Sequence, residues 1–318
     1  MTIMPDDTAT LRRLATETAS LWDAEPGTTG HISDSGNSVY LFRSNGERLI
    51  LRLTSPTYRT RAQLEAEIEF LLHLDACAVR IGKPVRSRHG EFVEDARLDG
   101  MAMLASAFTF APGIRVMPDS EHWNEVFFRE WGATLGRIHR AAGSFVPATD
   151  ARRWHWREEG FIALAPQLIP AEDTASHREL ERVMRRLDEL PVDTGTFGII
   201  HADFAPQNFN YEPALGITTF DFGNCCYHWY LSDLAISLST IRRRPPEVRD
   251  LYRRWIIEGY REHYPIDDDL LANISWLIRL RILYVYLSRL ALFGPNPAPE
   301  EQETLRGMRD EVHAQFIW

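Results

Sequence analysis

The stretch FGIIHADFAPQNFNYEPALGITTFDFG, residues 197–223, decides the reading of this chain. Phe197 to Ile200 is a short apolar run that predicts a buried strand ending at His201. Phe209 to Tyr211 and Ile217 to Phe220 predict two more strands around the turn Glu212-Pro213-Ala214-Leu215-Gly216. Asp203 and Asn208 are therefore expected on a loop, and Asp221 at the end of a strand.

His201, Asp203 and Asn208 stand at the spacing of a kinase catalytic loop, with four residues between the Asp and the Asn. Asp221-Phe222-Gly223 follows thirteen positions later, where that machinery carries its metal-binding triplet. Either half alone is only moderately specific; the two at this spacing, with a strand-turn-strand between them, are not. The chemistry asks for these residue types. Phosphoryl transfer needs a carboxylate to orient the attacking hydroxyl and accept its proton, which assigns Asp203 as the catalytic residue. Magnesium needs hard oxygen ligands, which Asn208 and Asp221 supply, with phosphates and water completing the shell. His201, at the end of a buried strand, is read as a structural hydrogen-bonding residue of the loop.

A phosphate clamp is sought upstream. In Arg48 to Leu53, alternation puts Arg48, Ile50 and Arg52 on one face of a strand and Leu49, Leu51 and Leu53 on the other. On the next helix Leu64, Ile68, Leu71 and Leu74 form the buried stripe. At 100° per residue Glu67 falls inside that arc, whereas Glu65 and Glu69 fall outside. An acid inside an apolar stripe needs a partner, and Arg52 is the natural one, held by Glu67 over nucleotide phosphates. The turn Ser35-Gly36-Asn37-Ser38 would cover those phosphates with backbone N–H groups.

The surroundings predict an α+β fold of two lobes. A helix over Thr8 to Trp22 precedes strands joined by tight turns, among them the hairpin Ser44-Asn45-Gly46-Glu47. A helix over Thr60 to Leu74 and strands around His89 to Ala96 and Met101 to Phe108 complete a small antiparallel sheet lobe, residues 1–110. Ala111-Pro112-Gly113 lets the chain cross into a mainly helical lobe, residues 111–318. Its long helices are expected over Glu121 to Ala142, Ser176 to Leu190, Pro246 to His263, Asp268 to Leu292 and Pro299 to Ile317.

Composition narrows the function. A length of 318 residues suffices for two cores, and the formal charge of −10 argues against nucleic acid as a partner. The single lysine, Lys83, lies before Pro84 in a loop; every other strongly basic residue is arginine, so arginine at a lysine-like position reads as coding bias. Three cysteines at 77, 225 and 226 make neither a disulfide framework nor a zinc site. The N-terminus lacks a basic-then-apolar signal pattern, and Leu270 to Phe293 is interrupted by Arg279, Arg281 and Arg289, so a cytoplasmic protein with no membrane partner is expected. Arg152-Arg153 and Arg242-Arg243-Arg244 read as solvated faces, and His139 as a core histidine.

On these residues the chain resembles the aminoglycoside phosphotransferase/choline kinase superfamily. The resemblance is strongest to the bacterial branch holding stress-response Ser/Thr kinases and homoserine-kinase-like enzymes. It covers nearly the whole chain, through Gly36-Asn37-Ser38-Val39-Tyr40, Leu51-Arg52-Leu53, Leu135-Gly136-Arg137-Ile138-His139, the 201–208 loop and Asp221 to Ala235. It implies ATP and Mg2+ as cofactors, an adenine slot at the hinge around Thr109, Phe110 and Ala111, and an acceptor site in the helical lobe. It implies further that Asp233 braces the catalytic loop; from the residues alone Asp233 is a first-turn helix acid. Arg52 stands where much of the superfamily has Lys, and Asn224 where close relatives carry an acid.

Two functions follow. One is an ATP-dependent phosphotransferase acting on a hydroxyl; the other is a pseudokinase-type module that binds nucleotide without transfer. Intact Asp203, Asn208 and Asp221 favour the enzyme. No Ala-Pro-Glu ending follows Asp221, which favours a small amino-alcohol, amino acid, aminoglycoside or sugar-like acceptor over a protein Ser/Thr. The oligomeric state stays open.

Overall fold

The computed structural model describes residues 8–148 and 152–314. Helix α1 (Thr8–Ala19) leads into β1 (Gly30–Ser35), β2 (Asn37–Ser44) and β3 (Glu47–Thr54). Asn45 and Gly46 turn β2 into β3 with φ of 51° and 80°, the left-handed pair that a tight hairpin requires. Helix α2 (Arg61–Ala76) starts at a capping box, Thr60 with Gln63. Then come β4 (Pro84–Val85), β5 (Glu94–Leu98) and β6 (Met101–Thr109). All pairings in this sheet are antiparallel, in the order β1-β2-β3-β6-β4, with β5 also on β6. Leu11, Leu14 and Trp22 close one face of the sheet against Tyr40, Phe42, Leu51 and Leu53.

The second lobe contains α3 (Glu125–Ala142), two single turns α4 (Gly160–Ala163) and α5 (Ala165–Leu168), and α6 (Thr174–Leu187). The strands β7 (Phe197–Ile200), β8 (Phe209–Glu212), β9 (Gly216–Thr219) and β10 (Cys226–Trp229) follow, then α7 (Tyr230–Ser239), α8 (Pro246–Arg261), α9 (Asp268–Leu271), α10 (Ile274–Phe293) and α11 (Pro299–His313). β7 pairs with β10, and β8 with β9. The architecture is the two-lobed kinase-like α+β fold.

Helix α2 belongs to both lobes. Leu64 and Ile68 pack with Val93 and Leu104 under the sheet, whereas Phe70, Leu71 and Leu74 join the large helical core. The chain after α2 also pairs with β9 through an Ile81–Thr219 bridge and the Gly82 N–H on Thr219 O at 2.8 Å. Helices α3 and α8 touch backbone to backbone: a Cβ at Gly132 would sit 1.9 Å from Ile256 O, so only glycine allows the approach.

Several expectations shift. The strand expected from His89 starts at Glu94, because residues 87–90 form a turn closed by the Gly90 N–H on Ser87 O. The helix expected over Asp268 to Leu292 breaks after Leu271, and α11 ends at His313, with the remainder of the expected helix beyond Ala314 outside the described residues. By length and composition the stretch Asp268–Phe293 could cross a membrane, but its residues Ile274, Leu277, Ile278, Leu283 and Leu287 are buried in the core.

Candidate active site

Strand β7 ends at His201, and the loop that follows is shaped by one buried acid. Asp233, in the first turn of α7, accepts the His201 N–H on Oδ2 and the Ala202 N–H on Oδ1, both at 2.8 Å. Ala202 is thereby held at φ 65°, a left-handed conformation that a residue with a Cβ resists. Burial opposes the Asp233 charge, yet hydrogen bonds from His139 and the two amides hold its carboxyl below the usual carboxylate range. His139 is fully buried, and burial lowers its pKa; Nε2 meets Asp233 Oδ2 at 3.2 Å and Nδ1 the Tyr260 hydroxyl at 2.8 Å. The core histidine thus also steadies the loop acid.

His201 is a structural link, as its position suggested. Its Nδ1 accepts the Asp203 N–H at 3.3 Å and its Nε2–H donates to Phe220 O at 3.1 Å. The Phe220 N–H in turn bonds Asn208 O at 2.9 Å. These bonds lay the Asp203–Asn208 loop beside the Asp221 strand end. Asn208 Nδ2 donates to Asp203 O at 2.8 Å and to Asp203 Oδ2 at 2.9 Å, which leaves Asn208 Oδ1 as the atom available to a cation.

Asp221 takes φ 62°, ψ 61°. Asp221 is exposed to solvent, yet protein atoms crowd its carboxyl group. Among the described residues it receives no hydrogen bond. Burial pushes its carboxyl above the usual range; Arg52 opposes this, and Glu67 adds to it. One unbonded carboxylate and one amide oxygen are a donor set suited to a hard divalent ion whose remaining ligands are phosphate and water.

The Arg52–Glu67 pair forms as the helical arithmetic required. Arg52 Nη1 and Nη2 reach Glu67 Oε1 and Oε2 at 2.7 and 3.0 Å, with side-chain exposures of 6% and 1%. The geometry is bidentate and sealed. A Cβ at Gly223 would lie 3.3 Å from Asp221 Oδ1, 3.7 Å from Arg52 Nη1 and 3.8 Å from Asn37 Nδ2, so the clamp, the turn and the acid converge there. Asn37 is fixed by the Thr54 hydroxyl at 2.8 Å, and Gly36, at φ 78°, lies under Tyr58. At the other edge Thr109 exchanges hydrogen bonds with the Lys83 backbone, and its carbonyl packs by Gly82 next to Phe220. Phe110 sits on the same edge with Arg48 stacked 3.8 Å over its ring.

Two functional-looking residues escaped the sequence. Arg153, read as solvated, is buried: Nε donates to Cys225 O and Nη1 to Gln63 O, both at 2.8 Å, Nη2 reaches Gly223 O, and Glu67 lies 3.9 Å away. It ties α2 to the loop after Asp221. Arg281, noted only as an interruption of an apolar stretch, donates from α10 to Asp203 Oδ1 at 2.6 Å. Beside it opens a cleft of about 530 Å³ including its mouth, lined by Trp156, Glu159, Ala202, Ser232, Arg281 and Tyr284. His228 and Cys226 form part of its wall. Burial takes His228 down to about 3, so it is neutral, and raises the thiol of Cys226 far above its ordinary value. Arg243 is solvated as expected, whereas Arg242 and Arg244 are only partly so; the three pair with Glu311 and Asp119.

The model of the phosphotransferase enzyme family matches residues 28–266, and the chain belongs to that family. It is a phosphotransferase that uses an alcohol group as acceptor. Among curated proteins it is similar to amicoumacin kinase of Bacillus subtilis (strain 168), 28% identical over 291 residues, 88% of this chain and 85% of that one. It is also similar to homoserine kinase of Phenylobacterium zucineum (strain HLK1), 26% identical over 275 residues, 82% of this chain and 79% of that one. Among solved structures, an amicoumacin kinase in complex with AMP-PNP, Ca2+ and Ami aligns with a TM-score of 0.87 at 26% identity, covering 97% of this chain and 93% of that one.

Proposed function

We propose that the chain moves the γ-phosphate of Mg-ATP onto a hydroxyl of a small molecule, in the cytoplasm. Residues 1–110 clamp the nucleotide and residues 111–318 carry the catalytic loop and the acceptor. Thr109 and Phe110 edge the adenine slot, and the Gly36-Asn37 turn lies over the phosphates. Arg52, braced by Glu67, neutralises phosphate charge. Asn208 and Asp221 hold Mg2+, whose charge favours the ionised form of the crowded Asp221. Asp203 orients the acceptor hydroxyl and takes its proton; the acceptor oxygen bonds to the γ-phosphorus as the bond to the β–γ bridging oxygen breaks, and ADP leaves.

The observation that carries this reading is the convergence of Asp221, Arg52 and Asn37 on Gly223, with Asp203 bonded by Arg281, a residue of the cleft wall. A half-open cleft walled by Trp156 and Tyr284 suits a small acceptor such as an amino-alcohol, amino acid, aminoglycoside or sugar. The relatives' kinase names point the same way. The test is a screen of hydroxylated amines, amino acids and sugars for Mg-dependent ADP formation, with Asp203→Asn as control. Acceptor-dependent turnover that vanishes in the variant is expected. Nucleotide binding without turnover on any acceptor would instead make the chain a pseudokinase.

A further inference from the structure

Asp203 has both carboxylate oxygens engaged, each by a different element. Asn208, on the same loop, takes Oδ2 at 2.9 Å; Arg281, 78 positions downstream on α10, takes Oδ1 at 2.6 Å. The loop from Ala202 to Gln207 contains no cation. The charge beside the carboxylate is therefore delivered by a helix whose inward residues, Arg279 apart, are mostly apolar, among them Leu277, Ile278, Leu280 and Ile282.

A guanidinium on such a helix is unfavourable unless paired. Its neighbour Arg279 has an architectural pairing, with Glu179 and with the Val312 and Ala314 carbonyls at 2.8 and 3.0 Å, which pins α11. Arg281 has no such anchor. Among the described residues its hydrogen bond is the one to Asp203, and its guanidinium rests 5.3 Å from the Tyr284 ring centroid. With Arg281 and Asp203 at 20% and 22% exposure, the pair sits at the cleft edge, neither sealed nor free in water.

Phosphoryl transfer through a loose, metaphosphate-like transition state asks more for aim than for strong deprotonation of the nucleophile. A carboxylate held at one oxygen still rotates about its last bond; held at both, it keeps one orientation. We propose that Arg281 is a positioning residue of the transfer step, fixing the orientation of the Asp203 carboxylate from the wall of the cleft it shares with Trp156, Ser232 and Tyr284. It acts through Asp203, and the proposal rests on the phosphotransfer reading above.

The test compares Arg281→Gln and Arg281→Lys with the unaltered chain, using Mg-ATP with water and with any acceptor found in the screen. A crystal structure of Arg281→Gln accompanies the kinetics. The Gln variant is expected to lose about 100-fold in kcat, the scale of a 1 Å misplacement, with KM for ATP and the thermal midpoint unchanged. Lys, which keeps the charge but not the fork, recovers most of that loss. In the Gln crystal, Asp203 leaves its present orientation. Unchanged kcat in the Gln variant would overturn the proposal, as would a loss that Lys does not recover and that comes with a lower thermal midpoint. If the unaltered chain turns over no acceptor, water included, the phosphotransfer reading falls. The crystal then decides for Arg281: an Asp203 still held in its present orientation sinks it.

Discussion

The two arginine–carboxylate pairs of this molecule, Arg52–Glu67 and Arg281–Asp203, are the same chemistry put to opposite uses. In the first, both ends are sealed and two short bonds hold the fork, while Arg52 Nε has no hydrogen-bond partner among the described residues. In the second, a single bond joins partners that stay partly exposed, at 20% and 22%, beside the cleft that Arg281 lines. Sealing makes a pair rigid and holds the guanidinium in one place. Partial exposure does the reverse, so the first suits a clamp and the second a group that must meet a substrate.

If that contrast is right, the two carboxylates respond oppositely to removal. Asp203→Asn should reduce kcat by about a thousandfold or more, some 4 kcal/mol of barrier, while changing the unfolding free energy by less than about 1 kcal/mol. Steady-state turnover alongside urea unfolding checks both halves. Glu67→Ala inverts the pattern: it strands a buried guanidinium and should destabilise the fold by about 3 kcal/mol or more by the same urea measurement. Equal stability losses at the two sites would erase the distinction.

Arg153 extends the sealed side toward the loop after Asp221. Replacing it with Met removes three hydrogen bonds to carbonyls of Gln63, Gly223 and Cys225. Calorimetry should find Mg-ADP binding weaker by about 10- to 30-fold, roughly 2 kcal/mol, and unchanged affinity would show that the clamp and the loop are independent.

The smallest effect concerns pH. Asp233 has a depressed carboxyl pKa in the fold, so its contribution is complete above the unfolded value of about 3.9 and fades as pH falls through the lower folded value. Asp233→Asn should therefore cost about 1–2 kcal/mol at pH 7 and less at pH 3, narrowing the gap to the unaltered chain. A gap that widens on acidification would have the sign wrong.

What could be read from the sequence was local or periodic. The 201–223 spacing brought Asp203, Asn208 and Asp221 forward because loop motifs keep their geometry within a few residues. Glu67 was legible through helical period alone: an acid inside the apolar arc of α2 had to find a cation, and it faces Arg52. Arg153 and Arg281 were not legible. Their partners lie 70 to 90 positions away, and neither a charge pair such as Arg152-Arg153 nor an arginine in an apolar helix says which side chain turns inward. The break between α9 and α10 has no Gly or Pro to announce it, and the two residues of β4 are too few to make a pattern.

The most direct test is a crystal structure of the chain with AMP-PNP and Mg2+. The account predicts a magnesium ion about 2.1 Å from Asp221 and from Asn208 Oδ1, phosphates against Arg52 and the Gly36-Asn37 turn, and the γ-phosphate between them and the cleft side of Asp203. A nucleotide bound elsewhere, or an ion that ignores both Asp221 and Asn208, would contradict it.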